Sequence, residues 1–409
     1  MEYDAKKNAW RKAYEQYCAE KIPGEETNLQ NVFTPFFLCS DIVGKLKESV
    51  DSFDGLVICV FNLEFAEILI GDYGVKPEQI WFITDSVSKS RFARGSRYNG
   101  IHVEVVDYVS YVKNREDREM KFDVVIMNPP YQGYGSKNSI WHKFVYKAFD
   151  LVGNGGFIVS INPVGWRGTG MFRDVGRLIR SKSLKYIKMF GNKAGQKHFK
   201  ESTSLDCLII QNSHENQDTG VTTVVDRHGL TFNLRLQDLP FIPNFCVSEV
   251  MSLVAKNGEP KVNLLYSRSA YGADKPHVSK EMHGEFQHPC AYSIKTDDSL
   301  VMRYSSTREK GHFGVPKIIV GDGCNFGVFK DIEGAFGMTQ WCFGIVDDPC
   351  NFDHIETALK STRFQRINEA STTKNTAGIG VVDRNILKYF RKDFWKEFVN
   401  EDGTEKTNS

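Results

Sequence analysis

The stretch Asp123-Val124-Val125-Ile126-Met127-Asn128-Pro129-Pro130-Tyr131 decides the fold. A short, mostly β-branched apolar run, bounded by charge on one side and prolines on the other, reads as a buried strand ending in a rigid turn. The two prolines lock φ and remove two backbone donors, so carbonyl oxygens dominate the main chain at that corner. Asn128 adds a side-chain oxygen, and Tyr131 adds a flat ring. Oxygens accept hydrogens and a ring covers a π face. The corner therefore suits a planar group carrying an exocyclic NH2.

Working outward, similar apolar runs recur at Leu56–Phe61, Ile80–Ile83 and Ile101–Val106 before it, and at Gly156–Ile161 and Leu205–Gln211 after it. Helix-like stretches separate them, including 5–20, 36–50, Glu64–Ile70 and Trp141–Leu151. Strands alternating with helices imply βαβ units and a mostly parallel sheet. Such sheets bind ligands at the carboxyl ends of their strands. Asn128 sits at one such end, and Asp85 and Asp107 sit just past two others. The expected fold class is α/β, with a Rossmann-like sheet covered by helices on both faces.

After about residue 225 the runs shorten and turn pairs such as Asn257-Gly258 and Glu333-Gly334 appear. The expected organisation is an N-terminal helical extension (1–29), an α/β domain (30–225), a mixed α+β domain (226–395) and a polar tail (396–409).

The 409 residues leave room for two or three domains, and 41% hydrophobic with 25% charged residues is ordinary for a soluble globular protein. No apolar run reaches 18 residues, so no membrane span is expected. Met1 to Glu20 is charged and lacks a signal-peptide core. Nine cysteines lie scattered without a C-x-x-C pair, so neither a metal site nor a disulfide framework is indicated, and a reduced, cytoplasmic setting is expected. Net charge is only +1, but residues 151–200 hold ten Lys/Arg against the single acid Asp174. A local basic block is the footprint of phosphate contacts; a solvated helix face is the plainer alternative. Within the block and beyond it, Arg167, Arg173, Arg177, Lys197, Lys200 and Lys330 are the candidate phosphate contacts.

With that layout, the chain resembles the DNA adenine-N6 methyltransferases of restriction-modification systems, in the class with the donor region first, then the catalytic tetrapeptide, then a C-terminal target-recognition domain. The resemblance rests on Phe33-Thr34-Pro35, on Asn128-Pro129-Pro130-Tyr131, on Trp141-His142-Lys143-Phe144 with Gly155-Gly156-Phe157 through Pro163, and on His198-Phe199. It implies S-adenosylmethionine as cofactor and double-stranded DNA as partner, with no metal. A separate cognate nuclease and a monomeric state are further expectations. The resemblance assigns catalysis to Asn128, Pro129, Pro130 and Tyr131. It assigns stacking on the target base to Tyr131 and Phe199. Donor contacts fall to Phe33, Thr34, Pro35, Asn62, Glu64, Asp85, Asp107, Asn128 and Phe144. One departure stands out. The family's glycine-rich donor loop reads here Ile58-Cys59-Val60-Phe61-Asn62-Leu63-Glu64-Phe65, without a glycine, although a side chain there blocks close approach of a ligand. The alternatives are a catalytically silent DNA-binding or anti-restriction protein, a methyltransferase for RNA or a protein glutamine, and an enzyme with a different donor.

Overall fold

The computed structural model describes residues 2–19, 33–95, 98–106, 108, 121–133, 138–168, 170–199, 203–213, 220–266, 276–322, 326–372 and 382–406. The chain divides into two compact units, Met1–Trp166 with Met171–Leu239, and Arg167–Gly170 with Pro240–Ser409.

The first unit opens with α1 (Glu2–Ala19) and α2 (Phe36–Lys47). It continues through β1 (Val57–Val60), α3 (Leu63–Tyr73), β2 (Ile80–Thr84), α4 (Val87–Ala93), β3 (His102–Val105) and β4 (Phe122–Met127). Then come α5 (Trp141–Leu151), β5 (Val152–Pro163), α6 (Arg173–Ser181), β6 (Ser183–Phe190), α7 (Asn192–Phe199), β7 (Leu205–Gln211), β8 (Val221–Val225) and β9 (Thr231–Arg235). All nine strands form one sheet, in the order β3-β2-β1-β4-β5-β7-β6-β8-β9. The first five run parallel, and β7 lies antiparallel between β5 and β6. The α/β expectation holds, and the order 3-2-1-4-5 is that of doubly wound folds. Strand β1 is buried along its whole length, as a central parallel strand covered on both faces must be.

The register sets Val60 beside Met127. Strand β1 has β2 on one side and β4 on the other, so this is where the winding reverses, and the residues after Val60 and Met127 meet at its carboxyl edge. The paired glycines after α5 also have a structural reason. Four residues of β5 lie between Val152, opposite Phe122, and Phe157, opposite Val124, where β4 has only Asp123, so three extra residues bulge out. Gly155 has φ +79°, and a Cβ on Gly156 would lie 2.8 Å from the Asp123 carbonyl oxygen.

Several expectations need correction. Helix α1 is part of the first unit, because Trp10 and Tyr14 are buried and pack on Phe92 of α4. The β8–β9 hairpin extends the sheet, so that unit runs to Leu239. The basic block divides among α6, β6 and α7, and the lysines of β6 alternate irregularly with apolar residues that face the core. At the end of the chain, Phe398 and Val399 are buried and Val399 bridges Glu405, so residues 396–406 fold back as a turn.

The second unit is mixed α+β. It carries two four-stranded sheets, one of them Asn263–Leu265, Cys342–Val346, Lys317–Gly321 and Val328–Asp331 in spatial order. Helices Phe352–Lys360 and Thr362–Ser371 share an apolar core with that sheet through Ile355, Leu359, Phe364, Ile318 and Phe343. No described helix is long and apolar enough to cross a membrane.

Candidate active site

Asn128 directly follows β4 and is 2% exposed. Its main-chain N–H donates to Asn62 Oδ1 at 2.9 Å, across the point where the winding reverses. Its Nδ2 donates to Thr34 Oγ1 at 3.1 Å, and its Oδ1 accepts from the Tyr131 hydroxyl at 2.9 Å. Pro129, Pro130 and Tyr131 are buried with it. The Tyr131 carbonyl in turn accepts from the Ile140 N–H at 3.0 Å and the Ser139 hydroxyl at 3.3 Å, which ties the corner to the start of α5. The polar corner is thus neutral and internally satisfied. Its key oxygen is held by a rotatable hydroxyl that an incoming NH2 group can replace.

The side expected to take the donor is built differently. Where the glycine-rich loop is expected, Phe61 takes φ +63°, a left-handed conformation that costs a non-glycine residue about 1–2 kcal/mol. Its ring lies edge-on to Phe144 of α5 at 5.7 Å, and Phe144 stacks on Tyr108 at 5.2 Å and 2°. That apolar packing is what holds the strained backbone. Its carbonyl accepts from Lys89 Nζ of α4 at 3.1 Å. Glu64, in the first turn of α3, is 1% exposed, and its Oε1 accepts from the Thr34 N–H at 2.9 Å. A carboxylate in the first helical turn is favoured by the helix dipole. Burial nevertheless raises the Glu64 pKa, against the opposing pull of Lys89. Burial lowers the Lys89 pKa, against the pull of Glu64 and Asp85. The Lys89 ammonium also lies 5.5 Å from the centre of the Phe33 ring. Asp85 follows β2 and is half-buried, and the neighbouring Ser86 caps α4 by accepting from the Lys89 N–H at 3.2 Å.

Among the expected residues, Thr34, Asn62, Glu64, Asn128 and Tyr131 form one hydrogen-bonded network, with Phe33 and Asp85 linked to it through Lys89. Pro35 precedes α2 as its N-cap residue, and Phe144 packs on Phe61. Phe199 is buried at the end of α7. Asp107 and Lys200 lie outside the described residues. Arg167 as a DNA contact is corrected: it is fully buried in the second unit and donates to the carbonyls of Ile242 and Pro243 and to Asn244 Oδ1. Lys330 is held by Asp353 and Glu356 at 2.6 and 2.8 Å. Arg173 and Arg177 are 60% and 70% exposed, and Lys197 is exposed. Lys89 and Tyr108 were not anticipated. Helix α4 is only seven residues long, too short for an apolar period to mark its buried face. Asp85 precedes the N-cap Ser86, so its four-residue spacing to Lys89 is not a pair on one helix and gives no sequence signal.

A model of the Eco57I restriction-modification methylase family matches residues 78–195, from just before β2 into α7. A protein of Mycoplasma pneumoniae described as an uncharacterized adenine-specific methylase is 28% identical over 156 residues, 36% of this chain and 35% of that protein. The chain therefore spans about a third of the length of the curated relative it matches. Among solved structures, the methyltransferase subunit of a type I restriction-modification system from Streptococcus thermophilus aligns with TM-score 0.42 at 13% identity, covering 56% of this chain and 55% of that one. The type IIG restriction endonuclease BpuSI aligns with TM-score 0.43 at 10% identity, covering 91% of this chain and 61% of that one.

Proposed function

We propose that this chain methylates N6 of an adenine in double-stranded DNA, drawing the methyl group from S-adenosylmethionine, as the modification arm of a restriction-modification or phage protection system. The observation that carries the reading is the Asn128–Tyr131 corner: a side-chain oxygen and a donor-free Pro-Pro backbone at the carboxyl end of β4, beside the reversal of winding. The family match over residues 78–195 supports it.

The N6 nitrogen of adenine is a poor nucleophile because its lone pair is delocalised into the ring. Asn128 Oδ1 and the Pro129 carbonyl accept its two hydrogens, which favours a pyramidal nitrogen with a localised lone pair. Adenine entry exchanges the Tyr131 hydroxyl on Asn128 Oδ1 for an N6 hydrogen. Tyr131 and Phe199 cover the faces of the base. Orientation and fixed dipoles supply most of the rate, and no strong general base is needed, because the methylated N6 is cationic and its excess proton is acidic enough to pass to water. The target nucleotide must leave the duplex, at a cost of a few kcal/mol. Exposed Arg173, Arg177 and Lys197 recover part of that through phosphate contacts, and the second unit takes the role of target recognition.

The donor side fits S-adenosylmethionine in kind. Glu64, Asn62 and Asp85 are acceptors at the ends of β1 and β2, and Lys89 is a buried cation with hydrogen-bonding capacity to spare. When bound, the sulfonium supplies a methyl group with an excellent leaving group. The buried state of these residues is the observation favouring a second reading, a methyltransferase-shaped protein that binds DNA without transfer.

Tritiated donor and mixed-sequence duplex DNA separate the two. Label recovered as N6-methyladenine is expected from the wild type. Asn128→Ala is expected to lower the rate by about a hundredfold to a thousandfold while duplex binding is retained. Wild-type protein that binds the duplex but leaves it unlabelled sinks the enzyme reading, and a wild-type rate in the Asn128 variant sinks the catalytic assignment.

A further inference from the structure

Among the described residues, Lys89 and Lys317 are the two lysines at most 3% exposed, and they are treated in opposite ways. Lys317, in the second unit, spends all three of its N–H donors: on Asp331 Oδ2 at 2.6 Å and on the carbonyls of Phe336 and Val315 at 2.8 and 3.1 Å. Lys89, 3% exposed, has one hydrogen bond among the described residues, to the Phe61 carbonyl. An ammonium carries three donors. Two are therefore left over in a place with almost no water. The nearest opposite charge is no substitute. Glu64 and Lys89 act on each other electrostatically, yet they do not approach within the 4.0 Å of an ion pair. A lysine kept only for stability would close that gap, as Lys317 does. Glu64 is likewise incompletely used. Its partners among the described residues are the main-chain N–H groups of Thr34 and of Glu64 itself, while a carboxylate offers about four acceptor positions.

We infer that Lys89 and Glu64 form a split charge pair that reads the amino-acid end of the methyl donor, Lys89 taking its α-carboxylate and Glu64 its α-ammonium. This rests on the donor reading given above. A zwitterion set between two separated, opposite charges satisfies both at once, and it does so in a medium where each unsatisfied charge is costly. The arrangement also accounts for the missing glycines. The main chain does not need to wrap closely around the ligand where two side-chain charges grip it, and Phe61 is free to turn its carbonyl to Lys89 and its ring to Phe144. Lys89 thereby becomes a specificity-determining residue: the site selects donors with an intact amino-acid terminus.

Calorimetric titration of the full chain without DNA tests this, with S-adenosylmethionine and its decarboxylated form as the two ligands. The wild type is expected to bind the first at least tenfold more tightly. Lys89→Met is expected to lose that preference by weakening S-adenosylmethionine alone, and Lys89→Gln provides the same comparison should the Met variant fold poorly. The wild-type ratio needs no variant at all. Equal wild-type affinities, or tighter S-adenosylmethionine binding in Lys89→Met, overturn the inference, the latter by making Lys89 a plug in the slot. Label transfer by wild type with equal affinities leaves the methyltransferase reading standing and removes this one. Failure of wild type to bind either ligand or to transfer label removes both.

Discussion

Lys317 and Lys89 make the same burial with different intent. Around Lys317 the chain has closed every bond: Asp331, its partner, also accepts from the N–H groups of Ala335 and Phe336 at 2.8 and 3.1 Å. Around Lys89 it has left charge and donors in reserve, on the edge of the sheet where ligands bind. The difference teaches how to tell a structural buried ion from a functional one. The first is satisfied by its own fold; the second is satisfied by something that arrives. The largest effect expected from this contrast is on stability. Lys317→Met leaves Asp331 as a buried carboxylate without its cation and should cost about 3–5 kcal/mol, read from urea unfolding. Lys89→Met removes a cation with a single hydrogen bond and should cost far less. Equal losses in the two variants would erase the distinction.

A subtler consequence concerns pH. Burial raises the Glu64 pKa above its ordinary 4.5 even with Lys89 opposing, so the folded protein binds that proton more tightly than the unfolded chain does. Stability from this group is fully present below the unfolded value and is lost as pH rises through the folded one. Glu64→Gln cannot titrate and keeps a similar shape. Its unfolding midpoint relative to wild type should therefore move upward as pH goes from 4 to 8, even as it loses grip on the donor. A midpoint that instead falls relative to wild type over that range would mean that Glu64 is stabilised as the anion and belongs with Asp331.

The acceptor corner was legible because it is contiguous. Asn128 to Tyr131 stand together in the chain, and their chemistry follows from four adjacent residues. The parallel core was legible for the same kind of reason, since β1, β2 and β4 are short runs that are apolar apart from Thr84 and Asp123. The expected donor side is assembled from five distant places: Thr34, the turn at Phe61 to Glu64, Lys89, Tyr108 and Phe144. No local pattern marks a lysine as inward-facing on a seven-residue helix. A phenylalanine in a left-handed turn is invisible until its ring is seen packed. Strand β6 was missed because Lys185 and Lys188 break its apolar run and its burial does not alternate strictly, the register shifting between Leu184 and Tyr186.

The basic block carries the same lesson to the surface, where the expected effects are smallest. It was one footprint in the sequence, and the fold has sorted it. Arg167 is buried, and its two terminal guanidinium nitrogens are engaged by the carbonyls of Ile242 and Pro243 and by Asn244. Arg173 and Arg177 are exposed, and their nearest acid is Asp174 at 3.6 and 3.5 Å, a pairing of little energetic weight in water. Replacing both by Ala should change stability by no more than about 0.5 kcal/mol. If each meets a phosphate, the slope of log affinity for duplex DNA against log salt should flatten by about 0.9 per residue, and binding should weaken alike on all sequences. An unchanged slope would make them a solvated helix face. A loss confined to one sequence would make them readers of bases, a role their long, unanchored side chains do not suit, because base readout needs a guanidinium held in a fixed plane.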